Sequence, residues 1–181
     1  MKTSRRYFFK VGLLGSAVLL AGSSLSAFTR VKSSKNNLPK LAFLSVSDTE
    51  LLLALAPIVL KANYPGSLEK EAEHRLLLAI DTQILSLGEH SKKQLQQLFD
   101  LLGSPTLRYL AGGPSNDWTT ASTDKIEDFL DDWKNSLFAL KRTGYAALCK
   151  LITMNWYTQP ENYAQASYPG PPKIYPPQDK P

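Results

Sequence analysis

The stretch TDKIEDFLDDWKNSLFAL, residues 123–140, decides the fold. Its apolar side chains Ile126, Phe129, Leu130, Trp133, Leu137 and Leu140 recur at steps of three and four, with charged residues filling most positions between them. That period puts them on one face of an amphipathic helix, so the spacing predicts a single helix over 123–140.

Working outward, the same signal recurs on both sides. Toward the C-terminus it predicts a helix over 143–156. Toward the N-terminus, Leu76, Leu77, Ile80, Ile84 and Leu87 predict a helix over 68–87 with Gly88 as its cap. Ser91 and Gln94 have the spacing of a capping box and open a helix over 91–102, closed by Gly103. Pro105 opens a short helix to Ala111, and Ala111-Gly112-Gly113-Pro114 reads as a turn. Ser47-Asp48-Thr49-Glu50 reads as a further capping box, with Ser47 and Glu50 as its members. It leads a strongly apolar helix through Leu60, with Pro57 as a kink and Asn63-Tyr64-Pro65-Gly66 as its terminating turn. No segment shows sustained strand alternation. The expectation is an all-α single domain of about five helices over 43–158.

The ends differ. From Gln159 on, the chain holds seven of its twelve prolines together with Tyr163, Tyr168 and Tyr175. Proline fixes φ and lacks the backbone donor, so 159–181 is expected to be an extended, partly polyproline-like tail. At the other end, Ser4-Arg5-Arg6-Tyr7-Phe8-Phe9-Lys10 resembles the twin-arginine export motif, with Arg5, Arg6, Phe8 and Lys10 in register and Phe9 in place of the usual Leu. A weakly apolar run follows to about Ala21, interrupted by Gly12 and Gly15. It has the form of a basic n-region and short h-region, and is shorter than the roughly 20 apolar residues of a membrane span. Small residues suited to cleavage pair at Ser24 and Ser26, or at Gly22 and Ser24, so the leader (1–27) is either cut there or retained as an anchor. A Ser-, Asn- and Lys-rich linker over 28–42 joins it to the domain.

The net charge of +5 is uneven: the leader contributes four bases and no acid, which leaves 17 basic and 16 acidic residues in the remainder. A balance so close to neutral, with no basic stripe interleaved with aromatics, argues against nucleic acid as a partner. One cysteine, Cys149, excludes an internal disulfide and a cysteine metal cluster, and an unpaired cysteine in an exported chain raises a bond to another chain. Glu71 and His74 form one Glu-x-x-His pair, whereas di-iron bundles need two such pairs and two further carboxylates. The ordinary reading is a solvated helix face, and the same holds for His90 and for Glu127, Asp128, Asp131 and Asp132. No glycine-rich dinucleotide fingerprint, phosphate loop or nucleophile elbow is present, so neither a catalytic residue nor a cofactor or metal site is expected in this chain.

Four features in order resemble the gluconate 2-dehydrogenase subunit 3-like family of small dehydrogenase subunits. They are the twin-arginine leader, the opening Phe43-Leu44-Ser45-Val46-Ser47 with its apolar helix, the late Asn155-Trp156-Tyr157, and the tail Ser167-Tyr168-Pro169-Gly170-Pro171-Pro172. Ser167 stands where the group often has Gly. The resemblance implies a non-catalytic small subunit that escorts a large FAD-containing sugar or polyol dehydrogenase subunit through the Tat translocase into the periplasm. It further implies a cytochrome c subunit as electron acceptor and attachment to the inner membrane through the complex. The partner surface would be Trp156, Tyr157, Tyr163, Tyr168, Pro169, Gly170, Pro171, Pro172 and Tyr175, and Cys149 is the candidate for an intersubunit disulfide. A free-standing periplasmic helical binding protein and a metal-dependent enzyme are the alternatives.

Overall fold

The computed structural model describes residues 41–65, 68–163 and 167–170, all within the compact unit Asn36–Pro181. The leader residues Arg5, Arg6, Phe8 and Lys10, the cleavage sites and most of the linker lie outside the described residues. So do Pro171, Pro172 and Tyr175.

The described chain is all-helical and contains no strand. Its elements are α1 (Val46–Leu60), α2 (Lys70–Ser86), α3 (Glu89–Gly103), α4 (Pro105–Leu110), α5 (Thr123–Lys134) and α6 (Ala139–Tyr157), with 3-10 turns at Lys61–Asn63, Trp118–Thr120 and Pro160–Asn162. The most apolar helix, α1, is the spine. It carries Leu or another apolar residue on every side over 51–60, and such a helix is stable only when surrounded. It packs against α2, α3, α5, α6 and the Trp118 turn, and α6 packs in turn on α5 and α2. Leu51, Leu52 and Leu55 are fully buried, each contributing about 1.5–3 kcal/mol by transfer from water.

The cap of α1 is set two residues earlier than expected. Ser45, not Ser47, is the N-cap: its Oγ accepts the Asp48 N–H at 3.4 Å, and Asp48 Oδ2 accepts the Ser45 N–H at 2.8 Å. Aspartate closes the box as Glu would, because its shorter side chain needs to reach back only to the cap's own amide. Pro57 lies inside α1. Two further caps are corrected. Gly88 has φ −65° and is the N-cap of α3 rather than the C-cap of α2, so α3 starts at Glu89 and Ser91 falls inside its first turns. Gly112, by contrast, has a positive φ of +89°. It ends α4 in a Schellman arrangement, with the Gly113 N–H reaching back to the Arg108 carbonyl at 2.8 Å and the Gly112 N–H to that of Tyr109 at 3.0 Å.

The deciding stretch divides into two helices. Ile126, Phe129, Leu130 and Trp133 are buried as the period requires. The helix then stops at Lys134. Asn135 turns both its backbone and side-chain N–H groups onto the Asp131 carbonyl, each at 3.0 Å, and Ser136 Oγ accepts the Phe138 N–H at 3.2 Å. These short polar side chains substitute for the next helical turn. Leu137 and Leu140 therefore lie beyond the break and are exposed rather than on the buried face.

Where α6 crosses α5, Gly144 lies flat against Trp133: a Cβ there would sit 2.5 Å from Trp133 Cζ3. Trp133 packs on Phe129 with the rings tilted by 50° and their centroids 4.9 Å apart, and Phe129 meets Trp118 edge-on at 5.4 Å. Both indole N–H groups are satisfied, Trp133 by the Ala111 carbonyl at 2.9 Å and Trp118 by the Leu102 carbonyl at 3.0 Å.

The helical domain also continues past residue 158. Pro160 opens a 3-10 turn, which a proline tolerates because the first residue of a helix donates to no one. Gln159 and Asn162 are buried, and Asn162 Nδ2 donates to the Trp156 carbonyl at 3.0 Å. The chain thus does not leave the helical domain at Gln159, as the sequence suggests, and most of the expected extended tail lies outside the described residues.

Candidate functional site

Three places in the fold hold polar or apolar groups in arrangements that packing alone does not require. The first is at the entry to the domain. Asp81, in the middle of α2, is buried and receives three consecutive backbone donors: Ala42 on Oδ2 at 2.9 Å, and Phe43 and Leu44 on Oδ1 at 2.9 and 2.8 Å. A carboxylate meeting an array of amides makes strong charge-assisted bonds. It fixes the strand of chain through which the linker joins α1, and Phe43 then packs edge-on to Phe99 at 6.3 Å. Phe43 and Leu44 belong to the opening segment on which the family resemblance draws.

The second is the buried Arg108 of α4. Its Nε donates to the Pro114 carbonyl at 3.0 Å, its Nη2 pairs with Asp117 at 3.3 Å, and its guanidinium lies 5.6 Å from the centre of the Trp118 ring. Gly113 is confined by it, since a Cβ would sit 2.7 Å from Arg108 Cγ. Every one of these partners belongs to the 114–118 loop, so Arg108 holds that loop against α4, while the Trp118 indole ties it to Leu102 of α3.

The third is the edge formed by α2, α6 and the start of the tail. On the outer face of α2, Arg75, Leu78, Ala79, Thr82, Gln83 and Ser86 form an open, shallow and largely apolar surface. Leu78 and Leu85 are exposed there, and Met154 is exposed on α6 beside Asn155, whose Nδ2 donates to Gln83 Oε1 at 2.6 Å. The tail turn reaches this face of α2 through a 2.9 Å ion pair between Arg75 and Glu161. Beyond it, Tyr163 and Tyr168 meet edge-on at 5.2 Å, the Tyr168 N–H bonds the Tyr163 carbonyl at 2.9 Å, and Gly170, at φ +98°, lies against the Tyr163 ring.

The residues expected to face a partner therefore divide. Trp156 is buried in this chain's own core and stacks with Tyr64 at 6.0 Å, so it cannot begin a contact with another chain. Tyr157 is half-buried, its hydroxyl accepting from Asn63 Nδ2 at 2.6 Å. Tyr163 is half-buried against Tyr168 and Gly170, whereas Tyr168 and Pro169 are exposed.

Cys149 is half-buried on α6, one turn after Tyr145. Burial pushes its thiol above the ordinary value, against the opposing pull of a hydrogen bond with Tyr145 and of the Lys134 charge. Burial likewise raises the Tyr145 phenol, with Cys149 and Asp131 adding to the shift, and raises the Tyr64 phenol, with Glu73 adding to it. Glu71 is exposed and His74 half-buried on the first turns of α2, and no third potential ligand joins them: among the described residues no group of three or more His, Cys, Asp or Glu side chains is placed to hold a metal ion. His90, Glu127, Asp128, Asp131 and Asp132 are exposed, and Asp132 pairs with Lys141 at 2.6 Å. No described helix is long and apolar enough to cross a membrane.

The Asp81 clamp and the Arg108 buttress were not read from the sequence. A lone Asp amid the apolar side chains of α2, and an Arg in a short helix followed by Gly-Gly-Pro, are the only signals either leaves.

Set against known proteins, the chain matches no family model, no curated protein and no solved structure.

Proposed function

We propose that this chain is the non-catalytic small subunit and Tat export escort of a large FAD-dependent sugar or polyol dehydrogenase subunit. The observation that carries the reading is the register of Ser4-Arg5-Arg6-Tyr7-Phe8-Phe9-Lys10 ahead of a helical domain. The twin-arginine route carries proteins already folded, so a leader on one subunit can serve a partner that has none. Such an escort has two tasks, and particular residues suit each. The leader must be joined firmly to the folded domain, and the Asp81 carboxylate on the amides of Ala42, Phe43 and Leu44 does this at the linker's end. The domain must also grip its cargo. The α2 edge offers exposed Leu78, Leu85 and Met154, with Tyr168 and Pro169 close to the chain that leads into Pro171, Pro172 and Tyr175. Apolar side chains grouped on a surface mark interaction sites, and tyrosines and pre-ordered prolines dock at small entropic cost. Electrons from the flavin would pass to a cytochrome c subunit, and the complex would reside in the periplasm against the inner membrane.

Purification of the tagged chain from the periplasm tests the reading. The expected result is a stoichiometric large subunit whose visible spectrum is that of a flavin. A chain recovered alone, or one that itself carries flavin or metal in stoichiometric amount, would overturn it.

A further inference from the structure

Four consecutive peptide groups at the entry to the domain all donate to buried carboxylates. Those of Ala42, Phe43 and Leu44 go to Asp81, and that of Ser45 goes to Asp48. The two acids differ in origin. Asp48 stands three residues along in α1, so its bond is local. Asp81 stands in α2, 37 to 39 residues away, and the Phe43 ring packs on Phe99 of α3. Residues 42–44 precede the helix and bury nothing by themselves. They are held only where α1, α2 and α3 have already come together.

A folded domain also keeps this clamp shut. Asp81 is 2% exposed, and among the described residues its carboxylate has these three amides and no cation. Withdrawal of the segment would strand a buried charge, which is far costlier than losing an exposed contact. What the clamp hides is an unbroken apolar run, Leu41-Ala42-Phe43-Leu44, at the foot of the linker that carries the leader. Leu44 is buried in the core, and Leu41 and Phe43 pack partly buried against it. In a chain whose three helices have not assembled, the same run is open to the factors that hold unfolded chains.

We propose that the Asp81 clamp makes use of the leader conditional on folding. Closed, it removes the apolar run from view once α1, α2 and α3 have packed; open, it leaves beside the leader a segment that holds the chain back from export. The proposal rests on the reading of residues 4–10 as an export signal and adds the regulation of that signal by the domain.

The test uses the full-length chain, purified and in cells. Asp81→Asn lets the segment leave without stranding a charge. Gly144→Ala is the control, because it strains the α5–α6 crossing and leaves the clamp intact. Chymotrypsin reports the clamp through its initial rate of cleavage after Phe43, taken relative to that after Phe129, which is buried and cut only on global unfolding. Asp81→Asn should raise this ratio by about tenfold or more, as expected for loss of bonds to a charged acceptor, with the helical circular dichroism retained. The variant should also be lost from the periplasmic fraction. Gly144→Ala should leave the ratio unchanged and be exported as the parent is. If Asp81→Asn does not fold, Phe43→Ala replaces it, and cleavage is read after Leu44. An unchanged ratio, or normal export of the clamp variant, overturns the proposal. So does an equal loss of export in Gly144→Ala, which would assign the effect to global stability. Export of the parent chain that survives Arg5→Lys with Arg6→Lys is a different failure: it removes the export reading itself, and the proposal with it.

Discussion

Asp81 Oδ1 accepts the N–H of Leu44, 37 residues earlier in the chain, at 2.8 Å, and the same oxygen takes Phe43. One buried carboxylate thus fixes where the linker ends and the spine helix begins. Asp81→Asn keeps the shape but presents amide hydrogens to a cluster of donors. It should destabilise the domain by about 2–3 kcal/mol, since a hydrogen bond to a charged group is lost and buried N–H groups are left unsatisfied. Urea unfolding gives the value. A change under about 0.5 kcal/mol would mean that water replaces the carboxylate at no cost.

The contact of Gly144 with Trp133 gives a second expectation. Gly144→Ala improves helix propensity by about 1 kcal/mol yet drives a methyl into an indole pinned by its bond to Ala111. Net destabilisation of about 1–3 kcal/mol is expected. Trp133→Phe should relieve part of it, so the two changes should be non-additive in a double-mutant cycle.

Stability should fall on the alkaline side. Burial raises Cys149, Tyr145 and Tyr64 above their ordinary values, so in the interval up to each raised value the folded state holds more protons than the unfolded one. Stability is then lost as pH rises, beginning near the ordinary thiol value of about 8.5 and continuing past the phenol value of about 10. Thermal melts from pH 7 upward measure this. Cys149→Ala should move the onset toward the tyrosine range, and the native thiol should react with a disulfide reagent more slowly than an exposed one until the chain is unfolded. Rapid reaction in the folded chain would instead mark Cys149 as accessible, as a bridge to a partner requires.

Two truncations separate the parts of the tail. Ending the chain at Thr158 removes the buried Gln159 and Asn162 and should lower the stability of the helical domain itself. Ending it at Gly170 spares these contacts. It should leave the circular dichroism and melting temperature intact while weakening flavoprotein binding by about 1–2 kcal/mol, through loss of Tyr175 and its prolines. Unchanged affinity would remove 171–181 from the partner surface.

Much of this fold was legible because its helices repeat their apolar residues at the helical period. Leu76, Leu77, Ile80 and Ile84 are all buried, and so are Ile126, Phe129, Leu130 and Trp133. What misled was local competition. Leu137 and Leu140 continue the period of α5, but Asn135 and Ser136 use their side chains to end the helix first. Ser47 and Glu50 have capping-box spacing, yet the box that forms is Ser45 with Asp48. The functional reading depended on short segments at the two ends, and the structure redistributes the second of them: Trp156 belongs to the core and Tyr168 to the surface. Long-range relations such as Asp81 with Leu44, or Arg108 with Asp117 and Trp118, have no periodic signature and become visible only in three dimensions.

Export of the partner on this chain's leader is the central claim, and subcellular fractionation tests it most directly. Arg5→Lys with Arg6→Lys should leave the FAD-dependent dehydrogenase activity in the cytoplasm, together with this chain. Activity that still reaches the periplasm in that variant would contradict the account.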